Sequence, residues 1–208
     1  MEKTKKSPKK QAKKKQVKKL ETPKQIEKEF YEKYRWFMTS SRKMVIGGKN
    51  AEQNEEIIKE LLSSGKNYVV MHTKLPGSPF AIIQSENPNE TDLQETAIFT
   101  ACFSQRWKEK KKKVIIDIFK ADQIYKTKAM KKGTFGVKTP IKHKTVEMKL
   151  YLTTQKSRLR AVPKDTISIC PGKTSKEKLS EQIAIKLDIP HDEVLQALPT
   201  GGSKICLK

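Results

Sequence analysis

Lysines interleaved with glycines and aromatic residues are the features of this sequence whose types and spacing could do chemistry. The two densest runs occupy residues 107–113 and 125–138. Lysine supplies positive charge, while glycine allows close approach of the backbone and exposes N–H donors, and together these groups can bind phosphates. The same lysines could instead form only a solvated face. Because the rest of the chain is also strongly basic, we favour a surface that binds a polyphosphate.

The charge balance of the chain points to a polyanionic partner. The 208 residues include 45 Lys and Arg against 23 Asp and Glu, which gives a net charge of +22. Residues 1–20 carry about +9 of that excess, so about +13 lies in the segment that is expected to fold. Each phosphate that Lys or Arg neutralises releases a condensed counterion, and this release drives binding.

Residues 1–22 are predicted to form a disordered, lysine-rich tail. The segment contains almost no apolar residues, so it cannot offset the entropy lost on ordering. Two interpretations are open: an arm that binds RNA by charge, or a tail that serves solubility or targeting. The tail lacks the apolar core of a signal peptide, and no run in the chain approaches the roughly 18 apolar residues of a membrane helix. We therefore expect a cytoplasmic protein without a membrane partner.

A glycine pair, Gly47-Gly48, separates a short apolar run from a predicted helix in the stretch VIGGKNAEQNE, residues 45–55. Neither of the common phosphate loops, GxxxxGK[ST] and GxGxxG, is present. Glutamates in the first two turns of the helix already complement its dipole and would repel a phosphate there. The stretch therefore predicts a strand, a turn and an amide-capped helix, with Lys49 and the glycine backbone as its RNA contacts.

Catalytic and metal-binding residues are only weakly indicated. His72 ends a predicted strand, but no nucleophile or paired carboxylate stands beside it, so a buried or phosphate-contacting role is favoured over a general base. The three histidines and three cysteines are scattered and no CxxC is present, so neither a zinc site nor a disulfide framework is predicted. We expect no metal, no cofactor and no enzymatic activity.

An α+β fold, with a mixed β-sheet packed by helices, is predicted to position these residues. A helix is expected from Thr22 to about Tyr34, where Pro23 suits the first helical position. Elsewhere, β-branched runs predict strands, and a polar cap before an apolar stripe predicts a helix. The strands are expected at residues 35–38, 44–46, 68–71, 80–83, 114–119, 123–125, 134–137 and 145–152, and the helices at residues 50–62 and 91–107.

The end of the chain is predicted to be a small appendage with a βαα pattern. An edge strand at Thr166–Cys170 precedes a helix opened by a capping box at residues 174–177 and a shorter helix at residues 190–198. The expected organisation is a tail at residues 1–22, an RNA-binding domain with a leading helix at 23–150, and the appendage at 151–208.

Several segments, in this order, resemble the RNA-binding (R) domain of the NFACT family. The most specific are RWF at residues 35–37 and VIGGKNAEQNE at residues 45–55, because together they form a long and uncommon string. The other segments that carry the resemblance are His72, Gly77-Ser78-Pro79, Glu95-Thr96-Ala97, Ser104 with Trp107, Gln123-Ile124-Tyr125-Lys126 and Gly133-Thr134-Phe135. ICPGK at residues 169–173 and LQALPTGGS at residues 195–203 are similar to the terminus of archaeal-type members.

The resemblance implies a role in ribosome-associated quality control. Full-length members bind a stalled large ribosomal subunit and tRNA and extend the nascent chain without mRNA, but they also carry an NFACT N-terminal module that this sequence does not show. We therefore do not transfer the elongation activity, and we expect a separate protein to supply that module in trans. The sequence departs from the family at Thr73-Lys74, where relatives usually have Ala-Asp, and this change adds positive charge.

The function we predict is non-catalytic binding of tRNA or ribosomal RNA, with the large ribosomal subunit as a partner. Two other classes remain open: an RNA-processing enzyme that uses His72 with Asp117, and a lysine-rich protein that binds DNA or chromatin. Trp36 is expected in the core, with stacking on a base as the alternative. The predicted RNA contacts are Arg35, Arg42, Lys43, Gly47, Gly48, Lys49, His72, Lys74, Lys126, Lys131, Lys132 and Lys138.

Overall fold

The computed structural model describes residues 29–156, 158–163 and 167–206. The predicted tail and most of the predicted helix that begins at Thr22 lie outside these residues. The part of that helix that is described forms one 3-10 turn, Phe30–Lys33, and Tyr34 after it is extended. The turn leads directly into the first strand.

A six-stranded sheet forms the first half of the fold. Its order is β1-β2-β4-β3-β5-β8, and β6 and β7 make a separate two-stranded ribbon. Every pairing is antiparallel, where a mixed sheet was predicted, so the α+β class is confirmed with simpler strand directions. The bounds are β1 Arg35–Met38, β2 Met44–Gly47, β3 Val69–Thr73, β4 Ala81–Ile83, β5 Lys113–Lys120, β6 Ile124–Tyr125, β7 Gly136–Val137 and β8 Lys142–Glu147.

Two long helices pack on this sheet, and side-chain caps set where each begins. Helix α1, Ala51–Ser63, starts after Asn50, whose Oδ1 accepts a hydrogen bond from the Gln53 N–H at 2.9 Å. Helix α2, Glu90–Cys102, starts with a reciprocal capping box between Asn89 and residue 92. The predicted helix at residues 50–62 is therefore confirmed.

The predicted single helix at residues 91–107 is wrong at its end. Helix α2 stops at Cys102, and a short helix α3, Gln105–Lys108, follows it. Ser104 causes the break, because its hydroxyl donates to the Ala101 carbonyl at 2.6 Å and accepts from the Arg106 N–H at 3.2 Å. A serine used as a cap in this way ends one helix and starts another.

The sheet separates two hydrophobic clusters, which follow the alternation of side chains along the strands. Trp36 belongs to the cluster under α1, and Phe37 belongs to the cluster under α2. Trp36 is only 2% exposed, so the core role predicted for it is confirmed and stacking on a base is not available to it. On helix α2, Ala97 and Ala101 also face the core, because both are fully buried.

The C-terminal part of the chain contains a second sheet, of order β10-β9-β11-β12, with two helices. The predicted strand at residues 145–152 is divided between β8 and β9. The predicted edge strand near Cys170 lies inside the sheet, because β9 pairs with one side of it and β12 with the other, and two further strands were not predicted. The bounds are β9 Leu150–Gln155, β10 Arg158–Val162, β11 Ile167–Thr174, α4 Lys176–Leu187, α5 His191–Ala197 and β12 Ser203–Ile205.

The pairing of β11 with β12 brings two cysteines together. Cys170 and Cys206 form a disulfide, which the sequence interpretation did not anticipate because β12 was not recognised. The third cysteine, Cys102, is free and buried. Cysteine spacing alone carried no information about a pairing that the fold creates.

The two sheets are joined by one continuous core and by polar contacts between them. The Gln155 side chain accepts from the Met38 N–H at 2.7 Å and donates to the Met38 carbonyl at 3.0 Å, so it occupies the open edge of β1. Trp107 Nε1 donates to Ser203 Oγ at 3.0 Å in the interior. Among the described residues, no helix has the length and apolar character that crossing a membrane requires.

Candidate nucleic-acid interface

A cleft of about 660 Å³ opens at the end of the first sheet where β1 and β4 begin and β2 and β3 end. Residues 48–51, 76–80, 103–105 and 132–135 line it. No Asp or Glu is among the described residues that line it. The cations that line it are Arg35, Lys49, Lys108 and Lys132. A concave surface with four cations and no acid suits a polyanion.

Helix α1 fixes the loops of this cleft through the polar residues of VIGGKNAEQNE. Gln53 accepts from the Lys49 N–H at 2.9 Å, and Asn54 accepts from the Phe80 N–H at 3.3 Å. Gly48 leaves no room for a Cβ, which would lie 2.7 Å from the Asn54 backbone nitrogen. The glycine is required for close packing against the helix, and the stretch holds Lys49 at the cleft.

Glu55 links helix α1 to the loop at residues 126–135. It accepts from Lys126 Nζ at 2.7 Å and from the Gly133 N–H at 2.8 Å, and Lys59 lies 3.1 Å away. Lys126 first, then the Gly133 N–H, holds the pKa of the Glu55 carboxyl down to about 2. The carboxylate that was expected to repel phosphate is therefore neutralised within the protein.

Lys126 has no donor left for a phosphate. Besides Glu55, its ammonium donates to the Lys131 carbonyl at 2.8 Å and to the Thr134 carbonyl at 2.9 Å, which uses all three N–H groups. It also lies 4.7 Å from the centre of the Phe135 ring. Lys126 anchors this loop, so we do not retain it as a candidate RNA contact.

Within the part of the chain that the structure describes, the neighbouring lysines of the loop have no partner or only an exposed one. Lys132 lines the cleft and forms a surface ion pair with Glu52 at 2.7 Å. Lys131 and Lys138 are exposed, and Lys138 lies 3.4 Å from the Asp122 carbonyl. Exposed pairs of this kind exchange readily for a phosphate, because they contribute little in water.

The backbone of Gly47 and Gly48 is less accessible to an RNA ligand than the sequence indicated. Gly47 is a buried strand residue that lies opposite Arg35 on one side and Ala81 on the other. Gly48 packs against helix α1, although it lines the cleft. We therefore do not retain Gly47 as a contact, and we assign Gly48 a packing role.

Three other predicted contacts lie outside the cleft lining. Arg42 and Lys43 belong to the turn between β1 and β2, at the opposite end of these strands from the cleft. That turn is held by the α2 side chain of Glu95, which accepts from the Ser40 N–H at 2.8 Å. Lys74 follows β3 and is exposed at the same end of the sheet as the cleft.

His72 lines the cleft as a half-buried ring. Its Nδ1 lies 2.7 Å from the Thr73 carbonyl, and the ring packs on Phe80 with centroids 4.6 Å apart. Burial lowers the pKa of His72 below 6.5, although the Thr73 carbonyl and Asp117 oppose this shift. The ring is therefore mainly neutral at pH 7, and it offers hydrogen bonding to a ligand without charge.

The pair proposed for an enzyme, His72 with Asp117, is adjacent across β3 and β5. Asp117 Oδ1 nevertheless lies 2.6 Å from His143 Nδ1, and Asp117 and His143 do not line the cleft, whereas His72 does. The structure thus brings the two residues together without directing the carboxylate to the histidine.

Arg35 is the most distinctive cation of the cleft. Its guanidinium stacks over the Phe103 ring at 4.4 Å, and within the described part of the chain no carboxylate pairs with it. Burial lowers its pKa to about 10. A half-buried guanidinium without a counter-ion is a natural position for an anionic ligand.

Three cations near the cleft were absent from the predicted contacts. Lys108 belongs to the lysine run after Trp107, which the sequence analysis noted without selecting a residue. Arg160 and Lys176 come from the C-terminal sheet and helix α4, and no local pattern marks them. The docking of the second sheet brings Arg160 to the same small cavity as Arg35 and brings Lys176 within electrostatic range of Arg35.

Comparisons with known proteins give a family for the first half of the chain. A family model described as the NFACT protein RNA-binding domain matches residues 33–139. "Ribosome quality control complex subunit 2" of Schizosaccharomyces pombe is 31% identical over 85 residues, which cover 39% of this chain and 8% of that protein. "Ribosome quality control complex subunit NEMF" of Homo sapiens is 34% identical over 82 residues, 38% of this chain and 7% of that protein.

The match to the Drosophila melanogaster NEMF homolog is 34% identical over 104 residues, which cover 47% of this chain and 10% of that protein. The aligned part therefore spans a tenth or less of each of these relatives. One solved structure, the C-terminal part of the fibronectin/fibrinogen-binding protein from Streptococcus suis, aligns with 55% of this chain and 44% of that chain. Its sequence identity of 23% and TM-score of 0.46 are too low to carry an argument.

Proposed function

The chain belongs to the NFACT protein RNA-binding domain family, and from this premise we propose that it binds structured RNA, either tRNA or ribosomal RNA, without catalysing a reaction on it. The observation that supports the proposal most directly is the cleft with four cations and no carboxylate among its described lining residues. All four cations lie within the residues that match the family, 33–139.

The cleft can read shape and charge in RNA better than it can read bases. Its cations can contact phosphates, and neutral His72 can hydrogen-bond to a sugar hydroxyl or a base edge. The aromatic rings at the cleft are already packed, because His72 lies against Phe80 and Phe103 lies under Arg35. Phosphate contacts would position an RNA of defined shape without selecting its sequence.

The names of the relatives suggest the setting of this RNA binding. We propose that the protein acts in ribosome quality control, on the large ribosomal subunit in the cytoplasm, together with a separate protein that carries the NFACT N-terminal module. Sucrose-gradient sedimentation with purified subunits tests this part of the proposal. Recovery of the protein with the large subunit is expected, and sedimentation at the top of the gradient in all mixtures would refute it.

Fluorescence anisotropy with competing nucleic acids tests the class of ligand. A labelled tRNA is displaced by unlabelled tRNA, by a large-subunit ribosomal RNA fragment or by duplex DNA, all at one salt concentration. We expect the RNAs to compete more strongly than duplex DNA of equal charge. Tighter binding of duplex DNA would instead favour the DNA-binding or chromatin class.

The double variant Lys49→Gln/Lys132→Gln tests the cleft itself. Each lost phosphate contact should lower the slope of log affinity against log salt by about 0.7–0.9, so the pair should lose about 1.4–1.8. Lys66→Gln/Lys186→Gln removes the same charge from exposed positions that do not line the cleft and serves as the matched control. Equal slopes in the two double variants would contradict the assignment of the cleft.

A denaturing gel after incubation tests the absence of catalysis. The tRNA is expected to remain unchanged at high protein concentration. Cleavage or modification that disappears in the His72→Ala variant would replace binding with an RNA-processing activity.

A further inference from the structure

The most unusual charge arrangement in the molecule lies where the two sheets meet. A small cavity of about 40 Å³ shares Arg35, Lys49 and Phe103 with the cleft and continues toward the C-terminal sheet. There it is lined by Arg160 of strand β10. Three cations from different elements therefore converge on one place.

Packing holds the two guanidinium groups in position, and no carboxylate pairs with any of the three cations in the described part of the chain. Arg35 stacks over Phe103 at 4.4 Å, and Arg160 stacks over Trp36 at 4.2 Å. Arg160 Nη1 also donates to the Leu159 carbonyl at 2.8 Å, which fixes the plane of the guanidinium. These stacked guanidinium groups are pre-organised, so little side-chain entropy remains to be lost when an anion binds.

Among the described residues, the only acid that lines the small cavity is Glu32. Its carboxylate lies 3.8 Å from Arg158 Nε, and both residues also line a neighbouring surface groove. Glu32 attracts Arg160 at longer range, as does Glu193, and neither forms a close ion pair with it. The cluster therefore keeps an excess of positive charge.

The acid–base behaviour of the lysines shows how close these groups are. Desolvation, followed by repulsion from Arg35 and from Arg160, lowers the pKa of Lys49. Desolvation, followed by repulsion from Arg35, also lowers the pKa of Lys176, the first residue of helix α4. Cations that repel one another in the free protein are stabilised when an anion binds between them, because the anion offsets that repulsion.

We propose that Arg35, Lys49 and Arg160 form a subsite for one phosphate group of the bound nucleic acid, and that the C-terminal sheet thereby supplies part of the RNA-binding site. The proposal rests on the proposed function, since it assigns a specific phosphate contact to it. Guanidinium groups suit this role, because each can present two parallel N–H donors to phosphate oxygens. The subsite extends the interface beyond the residues that match the family, which end at 139.

The first test measures RNA binding of the Arg160→Gln variant by tRNA anisotropy over a range of salt concentrations. We expect the affinity to fall about tenfold at low salt and the log–log slope to fall by about 0.7–0.9, the value for one phosphate contact. Lys186→Gln, an exposed position on helix α4, is the matched control for a single lost charge. If tRNA binds the wild type but Arg160→Gln behaves like this control, the subsite is wrong and the RNA-binding function stands.

The second test needs no RNA and so separates the subsite from the proposed function. Thermal unfolding is measured in sodium phosphate and in sodium chloride of equal ionic strength. Phosphate is expected to raise the Tm of the wild type by about 2–4 °C. In Arg160→Gln and in Lys49→Gln the increase in Tm should be at most half as large. A phosphate effect as large in both variants as in the wild type would overturn the subsite, and both variants must first show the circular dichroism of the wild type.

A third comparison identifies the source of the phosphate. Two RNAs of one sequence, with a 5′-phosphate or a 5′-hydroxyl, are compared for binding to the wild type and to Arg160→Gln. A preference for the 5′-phosphate that disappears in the variant assigns a terminal phosphate, and equal binding of both RNAs with the slope loss above assigns an internal phosphodiester. A 5′-phosphate preference that persists unchanged in Arg160→Gln contradicts the subsite.

Discussion

Lysines in this protein differ in what their ammonium groups contact, and that difference decides which of them can bind a phosphate. Lys126 donates its three N–H groups to Glu55 and two carbonyls, whereas Lys131 leaves its ammonium group in water. Lys132 is intermediate, because its ammonium group forms one exposed ion pair, with Glu52. Formal charge alone would treat all three as equivalent RNA contacts, although only Lys131 and Lys132 have donors to offer.

Lys126→Met tests this division. The substitution leaves the Lys131 and Thr134 carbonyls without their donor, and we expect the free energy of unfolding to fall by about 1–3 kcal/mol. Lys131→Met should change stability by less than about 0.5 kcal/mol, because the side chain has no partner within the described residues. Urea unfolding measures both values. Equal stabilities of the two variants would show that Lys126 does not anchor the loop.

The pH dependence of stability should report on Glu55. Its pKa is about 2 in the folded protein against 4.5 for an unperturbed glutamate, so its contribution is present above pH 4.5 and is lost as pH falls toward 2. Urea midpoints measured between pH 5 and pH 2 should therefore fall more steeply for the wild type than for Glu55→Gln. Glu60→Gln, an exposed residue on the same helix without an ion pair among the described residues, should follow the wild type. Parallel profiles for Glu55→Gln and the wild type would contradict the pairing.

Helix α1 organises the cleft at the scale of elements, because it presents a different polar residue to each neighbouring loop. Gln53 holds the Lys49 loop, Asn54 holds the start of β4 through Phe80, and Glu55 holds Gly133. Gly133 itself has φ of 75° and packs directly on the first residue of the helix. The cleft walls therefore move with α1, and any change that displaces the helix start should affect binding and stability together.

Gly48→Ala tests this dependence. The added Cβ would clash with the Asn54 side chain and lie 2.7 Å from its backbone nitrogen, so the start of α1 must shift. We expect a loss of about 1–3 kcal/mol in stability together with weaker tRNA binding. Gly65→Ala is the control, because φ of 69° strains the backbone there while the space around it is open and distant from the cleft lining. It should lose stability and keep its affinity for tRNA. Weaker tRNA binding in Gly65→Ala as well would attribute the loss to instability.

Patterns of neighbouring residues predicted the helices and strands that those residues determine, and they missed the strands that depend on tertiary contacts. The β1–β2 hairpin and helix α1 were predicted, because the alternation of a strand and an Asn cap can both be recognised from neighbouring residues in the sequence. Strands β10 and β12 were missed, since each is short and is defined by its pairing with β9 or β11. Ser104 was assigned to a helix interior, because its capping hydrogen bonds with Ala101 and Arg106 are seen only in the folded chain.

The candidate site follows the same rule. Arg35, Lys49 and Lys132 could be selected from the sequence, because the strand that begins at Arg35 and the loops that carry the two lysines are themselves predictable, and all three line the cleft. The anchoring role of Lys126 could not be seen in the sequence, because its partner Glu55 is 71 residues away in the chain. Arg160 could not be found from sequence, because the docking of a second sheet places it over Trp36.

At the scale of the whole molecule, charge is distributed over two regions of different character. About +9 of the net +22 lies in residues 1–20, while the cleft and its neighbouring lysines belong to the folded part. A lysine-rich segment neutralises any polyanion, whereas the cleft presents cations at fixed positions. The segment should therefore add affinity for RNA and DNA alike, and the cleft should supply the preference between them.

Deleting residues 1–20 tests this separation. We expect the log–log salt slope for tRNA to fall by about 0.7–0.9 for each phosphate contact that the segment makes, while the preference for tRNA over duplex DNA is kept or increased. Lys49→Gln/Lys132→Gln in the full chain should do the reverse, with part of the slope retained and the preference reduced. Anisotropy titrations of both proteins against both ligands provide the four slopes. An unchanged slope after the deletion would show that the segment makes no phosphate contact. If the deletion abolished the preference for tRNA over duplex DNA, the segment and not the cleft would be the source of specificity.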